Sequence, residues 1–112
     1  MNSRNYSLPK NYTELNSLPY SITNLYALLE LDGLSESTKR NYTLGDLTRT
    51  SLKHLKNDKD GFILMIEGSQ IDWAGHDHKS KELLEEMKDF SSAVAEALVL
   101  SLIHISEPTR PY

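Results

Sequence analysis

The sequence contains no cysteine, which excludes disulfide bridges and thiolate metal ligands. It has no apolar run long enough to span a bilayer, and no apolar core follows Met1 as a signal peptide would require. Charge of one sign does not dominate, since 16 acidic residues stand against 12 basic ones and the net charge is −4. This balance gives no electrostatic reason to expect nucleic acid or an anionic membrane as a partner. The 112 residues suffice for one small domain or for a piece of a larger one.

The most informative stretch is Gly61–His76. Its five consecutive apolar residues, Phe62–Ile66, end at Glu67, and Asp72 and His76 follow. The flanking glycines and the length of the apolar run predict a β-strand that is buried on both faces. In open α/β sheets, binding groups collect beyond the carboxyl ends of such strands. The three polar side chains after the run are therefore candidate ligands.

The chain before this stretch contains one predicted strand and one predicted short helix. Residues 1–23 are rich in Asn, Ser and Tyr, which predicts irregular structure with a short helix over Tyr12–Leu18. The apolar run Leu25–Leu29 precedes the turn signal Asp32-Gly33 and is predicted to be a strand. The polar residues 35–42 predict a loop.

A longer helix is predicted after this loop. Thr43 and Asp46 have the spacing of an N-terminal capping box, with Asp in place of the usual Glu. Four leucines lie along one side of the helix, namely Leu44, Leu47, Leu52 and Leu55, and the turn residues 57–61 end it. His54 falls on the polar side and is predicted to be exposed.

The last predicted helix carries an apolar stripe whose members are four and three residues apart. The stripe consists of Leu83, Met87, Phe90, Val94 and Ala97, and the opposite face carries Glu82, Glu85, Glu86, Lys88 and Asp89. Such a stripe predicts core packing against a sheet. The order strand, helix, strand, ligand loop, helix predicts the α/β fold class.

The end of the chain does not fit this pattern. Residues 100–110 resemble a translated sequencing-library adapter, because consecutive codons of that oligonucleotide encode these residues in order. On this interpretation, residues 100–112 are a non-native tail and residues 1–99 are a partial domain. The alternative is a natural helix end followed by a tail that contains Pro108 and Pro111.

The candidate ligands suit divalent metals. Asp72 and His76 are four residues apart, so one helical turn would bring both to the same face. A carboxylate with an imidazole suits Zn²⁺, whereas the carboxylate of Glu67 suits Mg²⁺ better. Adjacent divalent ions are used in phosphoryl chemistry, where they bind the attacking and leaving oxygens. Taken alone, the pair is weak evidence for a metal site, because a surface ion pair or a helix-capping Asp is the more common explanation.

The residue pattern of the whole stretch resembles the metal-binding segment of the alkaline phosphatase family. That segment has an apolar strand, then Glu-Gly, then Ile-Asp, then His four residues after the Asp, and all of these elements are present here. The strong resemblance covers residues 61–98, and a weaker one covers residues 12–61. It implies a partial alkaline-phosphatase-like sheet with flanking helices.

By position, the resemblance implies that Glu67 is a magnesium ligand and that Asp72 and His76 bind the same zinc ion. Trp73 occupies the position beside the phosphate pocket where other members carry Lys, His or Trp. The implied cofactors are Zn²⁺ and Mg²⁺, and the implied substrates are phosphate monoesters. A homodimeric parent enzyme in the periplasm or secreted from the cell is implied in the same way.

Two family motifs have no counterpart in this sequence. The family's nucleophile is the Ser of an Asp-Ser-Ala type motif, and no Asp-Ser pair occurs here; a Thr-Ala-Asp-His type motif is also missing. The sequence therefore predicts a chain that belongs to a phosphomonoesterase but is itself inactive, with no catalytic residue. Two other interpretations stay open. One is a non-enzymatic α/β module that binds a divalent ion, or binds a partner through the apolar stripe. The other is a related hydrolase or mutase of the same superfamily.

Overall fold

The structure is a computed structural model that describes residues 6–22 and 24–105. In these ranges the chain forms α1 (Tyr12–Ser17), a 3-10 helix (Ser37–Lys39), α2 (Leu44–Leu55), α3 (Gln70–His76) and α4 (Ser80–Ile105). Helices α2 and α3 and the 3-10 helix all pack against α4, the longest element. Helix α4 is therefore the element that positions the others. No helix of the described residues is both long and apolar enough to cross a membrane.

The two helices predicted before residue 60 are confirmed. Each begins at a capping residue that the sequence provides locally. Asn11 caps α1 by accepting a hydrogen bond from the Glu14 N–H at 2.8 Å. At the start of α2, the Thr43 hydroxyl accepts from the Asp46 N–H and the Asp46 carboxylate accepts from the Thr43 N–H, both at 2.9 Å. This is the predicted capping box, and it satisfies two N–H groups that would otherwise lack partners. The predicted loop 35–42 includes the short 3-10 helix.

The two predicted strands are not strands in this structure. Within the described residues there is no β-strand, and Leu25 forms only an isolated parallel bridge with Ser7. The prediction that Phe62–Ile66 is buried on both faces is wrong, because Ile63 is 97% exposed and Met65 is 87% exposed. A buried strand needs neighbouring strands for its backbone and covering layers for its faces. The described segments provide no pairing strand and leave the side of Ile63 and Met65 uncovered, so the predicted sheet is not confirmed.

His54 is buried, which corrects the prediction of an exposed side chain. Only 6% of the residue is exposed, and its Nδ1 lies 2.6 Å from the Ile22 carbonyl oxygen. Since a carbonyl can only accept, Nδ1 carries the proton. The Tyr20 ring contacts the imidazole edge-on, with 5.3 Å between centroids. The segment after α1 thus covers the polar side of α2.

The buried face of α4 differs from the predicted apolar stripe. Met87 and Val94 are 47% and 40% exposed, whereas Glu86 and Ala93 are 4% and 0% exposed. The helix contacts α2, α3 and the 3-10 helix, and its most buried positions include a carboxylate as well as the small Ala93. The prediction that the stripe forms the core is therefore wrong for Met87 and Val94, and Glu86 does not face solvent.

The predicted boundary near Val99 has no counterpart in the path of α4. The helix passes through Val99 and ends at Ile105. Residues 106–112, which include the last five adapter-like residues, lie outside the described residues, as do residues 1–5 and 23 of the predicted irregular region. The adapter origin of the tail stays a prediction.

Candidate metal site

The candidate ligands lie where a segment without regular secondary structure meets a short helix. This segment comprises residues 61–68, and α3 begins at Gln70. Gly68 is at the junction, where a Cβ atom would lie 3.0 Å from Cδ1 of Phe90 and 3.2 Å from Cδ1 of Ile71. A glycine suits this position, because any larger residue would have to displace the Phe90 ring of α4 by a few tenths of an ångström. This contact places the residues after Gly68 against α4.

Asp72 and His76 are on one face of α3, as their spacing predicts. Asp72 Oδ1 lies 3.4 Å from His76 Nε2, and the side chains are 78% and 72% exposed. At this distance the pair is an exposed ion pair when the imidazole is protonated, which contributes little to stability. An oxygen and a nitrogen side by side and open to solvent are also two donors that one metal ion can bind.

Glu67 and Trp73 are also accessible. Glu67 is exposed near the end of the segment 61–68, and Trp73 is 61% exposed next to Asp72. The indole is therefore not packed into the core. Its predicted position beside a phosphate pocket stays a prediction.

The donor set fits a metal as two half-sites. In the described part of the chain, no three His, Asp or Glu side chains come together to bind an ion. Asp72 and His76 provide two donors of the types that zinc prefers, and Glu67 provides one hard oxygen of the type that magnesium prefers. Zinc in proteins is almost always bound by four ligands, so each half-site would need further ligands from elsewhere.

A buried ion pair next to these residues was not predicted from the sequence. Arg40 Nη2 lies 2.7 Å from Asp89 Oδ2, and the two side chains are only 4% and 8% exposed. Asp89 Oδ1 also accepts from the Leu44 N–H at 3.1 Å, so this carboxylate caps α2 from another helix. Nothing in the local pattern distinguishes Asp89 from the solvated acidic residues of α4. Asp89 meets Arg40 only because the fold brings together two residues that are 49 positions apart in the sequence.

Two further hydrogen bonds connect the loop after Gly33 to this region. Glu86 accepts from the Ser37 N–H at 2.7 Å and 3.2 Å through its two oxygens. The Gln70 side-chain amide donates to the Leu34 carbonyl at 2.7 Å. Because Gln70 is the first residue of α3, the second bond attaches the ligand helix directly to this loop.

Glu30 and Tyr42 form a short hydrogen bond next to the same loop. The Tyr42 hydroxyl donates to Glu30 Oε2 at 2.6 Å, and the Ser35 N–H donates to both carboxylate oxygens at 3.1 Å and 3.2 Å. The Tyr42 hydroxyl lowers the pKa of Glu30, because its hydrogen bond favours the charged carboxylate. Burial raises the pKa of Tyr42 well above its usual value, and the hydrogen bond to Glu30 acts in the same direction.

Comparison with known proteins gives one consistent family. The family described as "Alkaline phosphatase" matches residues 2–103. "Alkaline phosphatase 3" of Bacillus subtilis (strain 168) is 51% identical over 63 residues, which are 56% of this chain and 14% of that protein. "Alkaline phosphatase, tissue-nonspecific isozyme" of Felis catus is 33% identical over 92 residues, which are 78% of this chain and 18% of the relative.

A solved structure has the same arrangement of elements. The cold-active alkaline phosphatase from the psychrophile Shewanella sp. superposes with a TM-score of 0.81 at 29% sequence identity. The match covers 91% of this chain but 26% of that protein. The described chain therefore has the fold of one part of that enzyme, and it spans a minor share of the length of each relative.

Proposed function

Because the chain belongs to the alkaline phosphatase family, we propose that it is a segment of a metal-dependent phosphomonoesterase. The observation that carries this proposal is the pair Asp72 and His76, whose donor atoms lie 3.4 Å apart on one exposed face of α3. The substrates of the whole enzyme would be phosphate monoesters. The similar proteins are alkaline phosphatases, which supports this substrate class.

We propose that Asp72 and His76 bind one zinc ion and that Glu67 binds magnesium. The exposure of all three side chains supports this assignment, since ligands from other parts of an enzyme can reach them. Zinc bound there would act as a Lewis acid on a phosphoryl oxygen. The contribution of this chain is to orient the donors: α3 sets the spacing of Asp72 and His76, and the Gly68 contact sets the position of Glu67.

Trp73 is proposed to lie beside the bound phosphate. Its side chain is exposed and adjacent to Asp72 in α3, which is compatible with contact to a ligand at the zinc site. An indole N–H can donate one hydrogen bond and has no charge. Trp73 would therefore help to orient the phosphate without neutralising its negative charge.

We propose that the 112-residue chain is inactive by itself. Its sequence has no Asp-Ser pair and no Thr-Ala-Asp-His type motif, so a nucleophile and the remaining ligands are not provided by these residues. We expect no hydrolysis of p-nitrophenyl phosphate with zinc and magnesium present. Turnover that disappears in Asp72→Ala would refute the proposed inactivity. The uninterrupted gene should encode a Thr-Ala-Asp-His type motif, and a gene without it would argue against the parent enzyme.

Zinc binding by the half-site can be tested by NMR on the full chain. Addition of ZnCl₂ should shift the ring resonances of His76 first, and Asp72→Asn should weaken this response by about tenfold or more, because a ligand is lost. His78→Gln is the matched control, since His78 is exposed two residues after His76 and outside α3. Equal responses in Asp72→Asn and the unmodified chain, or a response lost in His78→Gln, would overturn the assignment.

A further inference from the structure

Helix α3 carries the zinc half-site, but its own sequence does little to hold it in place. It has seven residues, and helices this short are only marginally stable in water by themselves. The side chain of its N-cap residue, Ser69, makes no capping hydrogen bond to the described residues, and one residue of the helix, Ala74, is buried. Contacts with other elements must therefore set how α3 lies against the fold.

Gln70 provides such a contact. Its Nε2 atom lies 2.7 Å from the Leu34 carbonyl oxygen, 36 positions earlier in the sequence. Because a carbonyl can only accept, the amide group of Gln70 donates this hydrogen bond. Gln70 and Ala74 are four residues apart and share one face of α3. Since a helix turns about 100° per residue, Asp72 and His76 lie on the nearly opposite face.

The Leu34 carbonyl is held from its other side as well. It belongs to the same peptide group as the Ser35 N–H, and in a trans peptide these two groups point in opposite directions. The Ser35 N–H donates to the two carboxylate oxygens of Glu30 at 3.1 Å and 3.2 Å. The peptide group is thus hydrogen-bonded at both ends, and each bond polarises the group in favour of the other. The Tyr42 hydroxyl holds Glu30 in turn, at 2.6 Å.

The loop that contains this peptide group is also attached to α4. The Ser37 N–H donates to Glu86 of α4 at 2.7 Å, and the 3-10 helix packs on the same helix. Helix α3 packs against α4 too. Gln70 therefore joins α3 to a loop whose position relative to α4 is already set by other hydrogen bonds.

We propose that Gln70 is a positioning residue that fixes the start of α3, and with it the direction in which Asp72 and His76 point. Rotation of α3 about its axis would break the Gln70–Leu34 hydrogen bond and would move Ala74 out of its buried position. That the exposed face binds zinc rests on the proposed function, whereas the anchoring of α3 does not.

The first test uses the unmodified 112-residue chain without metal. NMR should show a nuclear Overhauser effect between the side-chain amide protons of Gln70 and the backbone of Leu34 and Ser35. In a weakly aligned sample, the residual dipolar couplings of the α3 and α4 amides should fit one common orientation. Absence of the Overhauser effect, or α3 couplings that do not fit the orientation of α4, would overturn the proposal.

The second test removes and then restores the donor. Gln70→Met keeps the length of the side chain without an N–H, whereas Gln70→Arg places Nε–H the same number of bonds from Cα. In Gln70→Met we expect smaller dipolar couplings in α3 and unchanged ones in α2 and α4. The Ile71 N–H, which donates to the Gly68 carbonyl at 3.2 Å, should exchange about two- to tenfold faster, because one hydrogen bond no longer opposes local opening. Gln70→Arg should restore both values.

Ser51→Ala is the matched control. The Ser51 hydroxyl donates to the Leu47 carbonyl at 2.8 Å, so the variant loses a hydrogen bond of the same kind inside α2. It should leave the α3 couplings and the exchange of the Ile71 N–H unchanged.

The outcomes are distinct. Unchanged α3 couplings in Gln70→Met, or no recovery in Gln70→Arg, would overturn the role of the donor. Equal acceleration in Ser51→Ala would show a general loss of stability and would overturn it too. If Gln70→Met fails to fold, the measurements on the unmodified chain decide. A missing zinc response of His76 together with α3 couplings that depend on Gln70 would remove the proposed function and leave this inference standing.

Discussion

Replacing Asp89 tests whether one buried carboxylate fastens α4 both to the start of α2 and to Arg40, which lies before α2. The carboxylate accepts from the Arg40 guanidinium at 2.7 Å and from the Leu44 N–H, the first of α2, at 3.1 Å. Asp89→Ala would leave a guanidinium that is 4% exposed without its partner and would remove the acceptor for Leu44. Both effects act at the place on α4 where the start of α2 and the residues before it are attached.

The expected cost is large for a chain of this size. Breaking a buried ion pair from one side costs about 3–5 kcal/mol, because the remaining charge stays desolvated. Losing a capping acceptor adds about 1 kcal/mol. Asp89→Asn keeps an acceptor for the Leu44 N–H, so it should cost about 1 kcal/mol less than Asp89→Ala. Small domains have roughly 5–15 kcal/mol in total, so Asp89→Ala should remove a large share of the free energy of unfolding.

Urea unfolding of the full chain, followed by circular dichroism at the helix band, measures this difference. Glu96→Ala is the control, since Glu96 pairs with Arg49 across the same two helices at 3.0 Å but with side chains 32% and 45% exposed. That variant should cost about 0–1 kcal/mol. The reasoning would be refuted by a cost for Asp89→Ala that lies within about 1 kcal/mol of the cost for Glu96→Ala.

Two further predictions concern the Glu30–Tyr42 hydrogen bond and the glycines of the ligand segment. Because the pKa of Glu30 is lowered from 4.5 in the fold, this group contributes stability above pH 4.5 that is lost as the pH falls through the lowered value. Tyr42→Phe removes the hydrogen bond that lowers the pKa of Glu30, so the variant should lose less stability than the unmodified chain as the pH falls below 4.5. Acid unfolding followed by circular dichroism checks this, and the same pH dependence in both proteins would contradict it. Gly68→Ala should cost about 1–3 kcal/mol, because the added methyl would contact Phe90. Gly75→Ala, with no atom within 4 Å of the added methyl, should instead stabilise α3 by about 0.5–1 kcal/mol; equal effects of the two substitutions on urea unfolding would contradict the pair.

Features encoded within a few residues were predictable from the sequence. The capping box of Thr43 and Asp46 was found because both partners lie within one turn of the helix start. Asp72 and His76 were placed on one face because a helix brings residues four apart together. The family resemblance rested on the same local stretch, and the match over residues 2–103 confirms it.

Features that depend on distant residues were not predictable. His54 is buried where it forms a hydrogen bond with a carbonyl 32 positions earlier in the chain. Glu86 is buried where it accepts a hydrogen bond from an N–H 49 positions earlier. The sequence predicts both residues to be exposed, because each lies on the polar face of its own helix. The apolar run Phe62–Ile66 failed for a related reason. Its composition is that of a buried strand, but the pairing partners that make a strand are not among the described residues.

The exposed segment Phe62–Ile66 has a consequence for the chain in concentrated solution. Among the described residues, no other backbone group pairs with these five amides, and Ile63 and Met65 extend almost fully into solvent. A short apolar stretch without charge or proline and with free backbone groups is the kind of sequence that stacks into cross-β assemblies. Isolated copies should therefore form fibrils through this stretch, with a thioflavin signal that rises with protein concentration. Ile63→Lys should suppress the signal, because a charge on every stacked copy repels its neighbours, and fibrils that persist in this variant would place the nucleating stretch elsewhere.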